Sequence, residues 1–320
     1  MSNTREQKGT PSITNEAIKR AITRSGYLIE QRVADKLSGS GYYVLLNPSF
    51  PDPFTSGKAR EIDIEADSTY ISPFTGEGFP TGIHWSIVCE CENNLQPIVF
   101  FPYETLYPKE RYNLIKCFGV PMKIWNNDEY VDLRLFLPFG DFHHYCSGQI
   151  ATQYCSFRAK KKGSDEDWIA EHNEEQHDTF NSLISFIQYE IDDSSKDWNL
   201  PENDEEEPLY IEFRYPLIVL GGKLKKASLG RRGIVLKNAH HIKYLKSAYF
   251  GAKQEDYIID VITEDYLAEY ITLIGSEMKR VRQMMTTRKK EVNKSILKIL
   301  QEARATDSST DAYRRLIHPG

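Results

Sequence analysis

The sequence predicts an α/β protein whose core is a mixed sheet flanked by helices. Residues 60–66 and 87–94 alternate apolar side chains with other types at a period of two, which is typical of strands. Residues 14–38 instead place apolar side chains at roughly helical spacing, and residues 165–191 fit a second amphipathic helix. With 320 residues, 40% hydrophobic and 12% aromatic, the chain can bury a full core as one large domain or two small ones.

The first third of the chain is predicted to be helix followed by strands. Residues 1–12 are polar and are expected to be a flexible lead. Thr14 is the expected N-cap of the first helix, and Gly26 can divide that helix into two. The other expected elements are a strand over 42–46, the two strands named above, a helix over 104–117 and a fourth strand over 121–125.

The rest of the chain is expected to extend the same sheet and to end in helix. Predicted strands lie at 132–137, 209–213, 217–220, 241–250 and 257–262, with irregular chain over 138–164 and an acidic loop over 192–208. Helix is predicted from 263 to about 305, and its basic second half is expected to project from the core. The predicted divisions are a lead (1–12), a main domain (13–275, with core motifs at 20–127 and an extension at 128–275) and a basic helical tail (276–320).

Composition excludes several classes of protein. The longest apolar runs fall short of the ~18 residues that span a bilayer, and the first residues lack the apolar stretch of a signal peptide, so we expect a cytoplasmic protein without a membrane partner. Five cysteines without a Cys-x-x-Cys pair argue for free, buried thiols and against a structural zinc site. His143-His144 and His240-His241 are expected to have surface or packing roles.

Charge predicts local rather than general attraction to nucleic acid. The net charge of −6 argues against a protein that coats nucleic acid non-specifically. Basic residues nevertheless cluster at 158–162, 223–232 and 279–298. We select Lys225, Lys226, Arg231 and Arg232 as candidate nucleic-acid contacts, the alternative being ordinary solvated surface charge.

The two predicted strands carry an unusual concentration of carboxylates. In the first, Ile62 and Ile64 should point to one side and Asp63 to the other. In the second, Cys89 and Cys91 should point inward, and Glu90 and Glu92 should share the opposite face. Carboxylates on neighbouring strands repel each other unless a cation lies between them. The pattern therefore predicts a divalent metal held by hard oxygen ligands.

The order of these motifs resembles the PD-(D/E)XK nuclease superfamily, the restriction-endonuclease-like fold. That family runs helix, three strands, helix, strand. It has a glutamate on the first helix, an Asp on the second strand, often within Arg-Glu-Ile-Asp, and Glu-x-Lys on the third. Here residues 26–34 resemble the helix element, Arg60-Glu61-Ile62-Asp63 the Asp element, and Glu90-Cys91-Glu92 the third. The resemblance covers about residues 20–127, and this chain departs from it by placing Glu92 where the family has lysine.

The resemblance implies roles for four residues. Asp63 and Glu90 would bind Mg²⁺ (or Mn²⁺), with the Cys91 carbonyl as a further ligand, and Glu30 would act at the edge of the metal through a water. Glu92 would accept a proton or bind a second metal in place of the lysine. An exposed helix charge remains the alternative for Glu30, and a structural ion pair with Arg60 or Lys58 remains the alternative for Asp63. Lys58 or Lys109 could replace the missing cation, and Gln96 could orient water or phosphate or, equally, cap a helix.

Two functions follow from these residues. The first is a metal-dependent nuclease that hydrolyses phosphodiester bonds in DNA, with the resemblance suggesting genome defence or repair. The second is a nuclease-like binding or regulatory subunit without turnover, which the missing lysine and the acidic net charge favour. The expected partner is nucleic acid, with DNA preferred, and the sequence leaves open the choice between DNA and RNA as well as a homodimer or a protein partner.

Overall fold

The computed structural model describes residues 13–53, 55, 57–71, 81–119, 121–160, 168–172, 174–197 and 209–305. The predicted lead (1–12) and most of the predicted acidic loop lie outside these residues. The α-helices are α1 (Asn15–Arg24), α2 (Tyr27–Gly39), α3 (Leu133–Phe136), α4 (Glu174–Asp197), α5 (Leu267–Thr287) and α6 (Lys289–Ala305). None of the helices in this part of the chain combines the length and apolar character needed to cross a bilayer.

The strands fall into one large sheet and two small hairpins. They are β1 (Tyr43–Leu46), β2 (Ser49–Pro51), β3 (Ala59–Glu61), β4 (Ile64–Ile71), β5 (Thr81–Glu92), β6 (Ile98–Tyr103), β7 (Lys116–Gly119), β8 (Lys123–Asn126), β9 (Glu129–Asp132), β10 (Ile150–Ala159), β11 (Trp168–Glu171), β12 (Leu209–Leu220), β13 (Leu224–Gly230), β14 (Gly233–Ala239), β15 (His241–Phe250) and β16 (Lys253–Thr263). Within the described residues the large sheet follows the order β1-β4-β5-β12-β16-β15-β10-β6-β13-β14, with β7 on β12 and β11 on β10.

The middle of the sheet is mixed. Strand β4 runs antiparallel to β1 and β5, whereas β5 runs parallel to β12 along its whole length, from Thr81 opposite Leu209 to Glu92 opposite Leu220. Strand β12 is in turn parallel to β16. The carboxyl ends of β5, β12 and β16 therefore meet at one edge of the sheet, which is where ligand sites form in sheets with parallel strands.

Two buried apolar clusters cover the two faces of the sheet. Helix α2 packs on one face through Ile29, Val33 and Leu37, which recur at helical spacing, and α5 and α6 complete that layer. Helix α4 packs on the other face through residues such as Leu183 and Ile187. Both faces of β5 are thus covered, so its carboxylates emerge only at its carboxyl end rather than along an open face.

Several predicted elements are confirmed. Thr14 caps α1 by accepting a hydrogen bond from the Ala17 N–H at 3.2 Å, and the helix breaks at Ser25–Gly26, as expected. The strand at 42–46, the alternation of β5, the strands at 241–250 and 257–262, and the helices after residue 263 are all present. The two strands predicted at 209–213 and 217–220 form one continuous strand, β12.

Other predictions are wrong. Ile62 and Ile64 lie in different apolar clusters, because the chain bends at Asp63 between β3 and β4. In place of the helix over 104–117 there is a 3₁₀ turn (Pro108–Leu114) followed by β7. The strand at 121–125 is β8, which pairs only with β9, outside the main sheet.

Further differences lie beyond residue 130. The predicted strand over 132–137 is instead the short helix α3, whose N-cap is Asp132. The region predicted to be irregular contains the ten-residue strand β10, and the helix predicted from 165 begins only at Glu174. Helix α6 does not project from the core, since Val292, Ile296 and Ile299 are buried in it.

Candidate active site

A cleft of about 700 Å³ lies at the carboxyl end of β5 and is lined by the four predicted carboxylates, Glu30, Asp63, Glu90 and Glu92. They come from three points of the fold. Glu30 lies in the first turn of α2, Asp63 directly precedes β4, and Glu90 and Glu92 end β5. The structure thus brings together every residue that the sequence selected for catalysis or metal binding.

Strand register explains why Asp63 meets Glu90. Ile64 pairs with Cys89 across the antiparallel β4–β5 ladder, so the residue before β4 lies beside the residue after Cys89. The Asp63 carboxylate accepts a hydrogen bond from the Cys91 N–H at 2.7 Å and shares another with the Glu90 carboxyl group. Arg60, the suggested ion-pair partner of Asp63, binds Asp52 instead at 2.8 Å.

Burial and mutual repulsion hold protons on this cluster. Burial raises the pKa of Glu90 well above its usual value, and the negative charges of Asp63 and Glu92 raise it further. Burial also raises the pKa of Asp63, which the hydrogen bonds from Cys91 and Glu90 partly offset. Glu90 therefore carries the proton that it donates to Asp63. A bound divalent cation would replace this proton and neutralise both carboxylates.

Glu30 reaches the cluster because Gly26 has no side chain. A Cβ at Gly26 would lie 3.1 Å from the Glu30 carboxylate and 3.7 Å from the Cys91 carbonyl oxygen. Burial and the charge of Asp63 raise the pKa of Glu30. These effects show that Glu30 faces the cluster and is not simply an exposed helix charge.

Glu92 lies two residues beyond Glu90 on β5 and lines the same cleft. Its carbonyl oxygen accepts a hydrogen bond from the Gly221 N–H at 2.8 Å. Neither Lys58 nor Lys109 lines the cleft, and Lys109 binds Asp141 at 2.6 Å, so neither replaces the missing lysine.

Among the described residues, the cations that line the cleft are Arg24, which the sequence analysis did not name, and Arg158, which it placed only in the basic cluster 158–162. Arg24 is exposed at the end of α1, and Arg158 binds Glu171 at 2.8 Å. Their guanidinium groups are suited to phosphate oxygens.

Amides supply the remaining polar lining. Gln96 lies in the cleft, as the sequence suggested, beside Asn94, whose side-chain oxygen accepts a hydrogen bond from the Gly222 N–H at 2.8 Å. Gln176, in the first turns of α4, was not predicted. It is 7% exposed, and its Oε1 has no hydrogen-bond partner among the described residues. No sequence signal near Gln176 marks it, because α4 reaches the cleft only through the tertiary fold.

The donor set fits a hard cation with several water ligands. Asp63, Glu90 and the Cys91 carbonyl provide oxygen donors, and Mg²⁺ is typically held by one or two carboxylates while it keeps several waters. Among the described residues, the groups of three or more His, Cys, Asp or Glu with ligand atoms within 4.8 Å of one another lie elsewhere. Glu30 and Glu92 line the same cleft as these donors.

Those other groups form a buried histidine network. The sequence offered His143 and His144 no metal-ligand partner, but the fold brings His144 to Glu277 at 2.9 Å and to Asp260 at 3.0 Å, and His241 to Asp260 at 2.6 Å. Burial disfavours the charged form of His144, yet the two carboxylates outweigh it and raise the pKa to about 9.

With His144 protonated, its imidazole donates to Glu277 and to Asp260, and the network is then an internal ion cluster. Its members are almost fully enclosed: Asp260 is 0% exposed and Glu277 is 3% exposed. His143 and His144 are buried, whereas His240 is exposed.

The candidate nucleic-acid residues lie together on the β13–β14 hairpin. Lys225 and Lys226 are on β13, and Arg231 and Arg232 form its turn. Lys225 also lines a second cleft of about 810 Å³ that adjoins Gly222, the glycine bound to Asn94 of the carboxylate cleft. The two clefts therefore lie on either side of the Asn94–Gly222 contact.

The free thiols predicted from the sequence are present as such: all five cysteines are unpaired, and four of them are buried.

Comparison of the chain with protein-family models, with curated proteins and with solved structures returns no match.

Proposed function

We propose that this protein is a metal-dependent nuclease that hydrolyses phosphodiester bonds in DNA. The observation that carries the proposal is the convergence of Asp63, Glu90 and Glu30 around the Cys91 backbone in one cleft. Such a cluster of partly buried carboxylates is unfavourable on its own and becomes favourable with a divalent cation between its members.

The order of elements supports a restriction-endonuclease-like core for this proposal. Helix α2, strands β1, β4 and β5, helix α4 and strand β12 occur in the order helix, three strands, helix, strand, with the β2–β3 hairpin inserted between β1 and β4 and further elements between β5 and α4. The pairing is antiparallel from β1 to β5 and parallel from β5 to β12. In this proposal α4 and β12, rather than residues 104–125, complete the core.

Six side chains of the cleft and the Cys91 carbonyl have roles in the proposed reaction. Asp63 and Glu90, with the Cys91 carbonyl, would hold Mg²⁺ or Mn²⁺, which would supply Lewis-acid stabilisation of the scissile phosphate. Glu30 would orient a water molecule in the cleft, and Glu92 would accept the proton of the attacking water. Arg24 and Arg158 bind phosphate oxygens and so compensate for the absent lysine.

A second candidate function is a nuclease-like binding subunit without turnover. It is favoured by a specific observation, namely that Glu92 occupies the position of the family's lysine and that neither Lys58 nor Lys109 lines the cleft. In that case the carboxylates would bind a cation, but the protein would retain nucleic acid without cutting it.

Cleavage of plasmid DNA in Mg²⁺ or Mn²⁺ separates the two functions. Asp63→Ala should abolish cleavage, because it removes the carboxylate that connects Cys91, Glu90 and the cation. Glu61→Ala is the matched control, since Glu61 is exposed two residues away and does not line the cleft. Undiminished cleavage by pure Asp63→Ala protein would place the chemistry elsewhere, and no cleavage by the wild type would favour the binding subunit.

A further inference from the structure

The β13–β14 hairpin extends from the body of the protein as a two-stranded ribbon, which we call the basic ribbon (Leu224–Ala239). Only residues 224–226 of β13 pair with a third strand, β6, and β14 pairs only with β13 among the described residues. All residues from Ser228 to Asn238 are exposed. Strands of seven residues give the ribbon a length of roughly 23 Å.

The ribbon lies within a stretch of chain that contains no carboxylate side chain. Residues 213–254 include ten Lys or Arg and no Asp or Glu, although the whole chain has a net charge of −6. Arg231 and Arg232 form the tip, where Gly233 adopts a φ of +117°, a region that favours glycine. Five of these ten cations lie on the ribbon, whose outer part is exposed, as a polyanionic partner requires.

The two faces of the ribbon differ in chemistry. Leu229 pairs with Ile234 and Ala227 pairs with Leu236, so one face is apolar towards the tip. Leu229 is 91% exposed and Ile234 is 70% exposed. On the opposite face Lys226 pairs with Lys237, an unfavourable pairing of like charges unless an anion lies nearby. We call the apolar face the reading face. Together with the cationic face opposite to it, this face suits a ligand that presents both apolar groups and phosphates.

The ribbon begins at the cleft that contains the carboxylates. Gly222, two residues before β13, donates its N–H to Asn94 of that cleft, and the Lys223 carbonyl accepts from the Ile98 N–H. A polymer bound along the ribbon would therefore pass beside Asp63 and Glu90 without a change in the fold.

We propose that the basic ribbon enters the major groove of double-stranded DNA and holds the duplex against the carboxylate cleft. The major groove of B-form DNA admits a two-stranded ribbon and exposes thymine methyl groups to apolar side chains, whereas the major groove of duplex RNA is too deep and narrow. A second copy of the chain is disfavoured as the occupant, because two such ribbons carry like charges. The inference names duplex DNA as substrate and rests on the proposed nuclease function.

Binding measured in EDTA tests the ribbon independently of cleavage. Fluorescence anisotropy of the full chain should show roughly tenfold tighter binding to duplex DNA than to duplex RNA of the same sequence. Arg231→Ala with Arg232→Ala should make the plot of log affinity against log salt shallower by about 0.9 for each phosphate that the two arginines neutralise. The control is Lys290→Ala with Lys294→Ala, two exposed lysines of α6, which should leave the slope unchanged.

A second pair of variants tests the reading face. Leu229→Ser with Ile234→Ser should weaken binding to duplex DNA and leave the salt slope unchanged, with thermal unfolding as the check on folding. Methyl green, which occupies the major groove, should compete with the wild type, and the minor-groove ligand netropsin should not.

The inference would be overturned by equal binding to duplex RNA, by competition from netropsin alone, or by ribbon variants that bind DNA as the wild type does. It would also be overturned if Leu229→Ser with Ile234→Ser converted a dimer to a monomer in sedimentation, since the ribbon would then be a subunit interface. If the ribbon variants lose DNA binding while Asp63→Ala still cleaves, the proposed active site is wrong and the DNA-binding role of the ribbon is supported. If Asp63→Ala loses cleavage while the ribbon variants bind DNA normally, the active site is supported and the role of the ribbon is wrong.

Discussion

The substitution Glu90→Gln should stabilise the metal-free protein at neutral and alkaline pH. Burial and the charges of Asp63 and Glu92 raise the pKa of Glu90 well above its value in the unfolded chain. The unfolded state therefore releases this proton at a lower pH than the folded state, and stability falls as pH rises from about 4.5 towards the folded pKa. Gln keeps a hydrogen-bond donor for Asp63 and carries no titrating charge, so the variant lacks this loss.

The size of the effect follows from proton linkage and chain length. A difference of one bound proton changes the free energy of unfolding by ~1.4 kcal/mol per pH unit. For 320 residues, an unfolding entropy of ~2.1 cal/mol/K per residue converts this to about 2 °C in Tm per pH unit within the window. Below about pH 4.5, where Glu90 is protonated in both states, the two proteins should unfold at similar temperatures.

Calorimetry in EDTA across pH 4–9 measures the difference, and Mg²⁺ should reverse it. A cation at one hundred times its Kd stabilises the wild type by ~2.7 kcal/mol, or about 4 °C for a chain of this length, and should stabilise Glu90→Gln far less. Because the cation must displace the Glu90 proton, wild-type affinity for Mg²⁺ should increase with pH. Parallel curves of Tm against pH for the two proteins, in EDTA and in Mg²⁺ alike, would refute the proposed protonation of the cluster.

Three further substitutions test other parts of the structure. Glu92→Gln should lose most of the cleavage rate, because an amide cannot accept a proton, whereas Glu92→Lys should retain activity; equal plasmid cleavage by wild type and Glu92→Gln would show that this carboxylate is a bystander. His144→Leu should destabilise the fold by ~3–5 kcal/mol in urea unfolding, since it removes the cation that two buried carboxylates share, while exposed His240→Ala should be neutral. Gly222→Ala should lower both stability and cleavage, because its Cβ would lie 2.1 Å from the Asn94 carbonyl oxygen; a wild-type melting temperature and cleavage rate would contradict this.

The periodicity of the sequence correctly predicted the elements in which one spacing of apolar residues is kept from end to end. Strand β5 keeps a strict period of two up to Glu92, so its carboxylates were assigned to one side correctly. Strand β10 escaped prediction because its pairing with β6 shifts between Ala151 and Tyr154, which disrupts the alternation. The error at Ile62 has a similar origin, since a bend at Asp63 cannot be read from alternating residue types.

Tertiary context decided the remaining elements. Residues 104–117 have helix-forming composition. The end of this segment nevertheless forms β7, because β12 provides a strand partner for it, and only the 3₁₀ turn that begins at Pro108 and precedes β7 is helical. Helix α6 looked exposed because its many lysines dominate the composition, although Val292, Ile296 and Ile299 form a narrow buried stripe.

The candidate site shows the same limit. Glu30, Asp63, Glu90 and Glu92 could be selected from short motifs, but Gln176 comes from another element and could not.

The long parallel ladder between β5 and β12 has a consequence for how the protein acquires its shape. Each residue of β5 pairs with one 128 positions later, for example Cys89 with Leu217. Closing so large a loop costs entropy before the ladder repays it, which makes such topologies slow to fold. Until β12 is in place, the edge of β5 is open to pairing with other chains. A shortened version ending near residue 127 should therefore aggregate rather than fold, and the carboxylate cleft should form only late in folding.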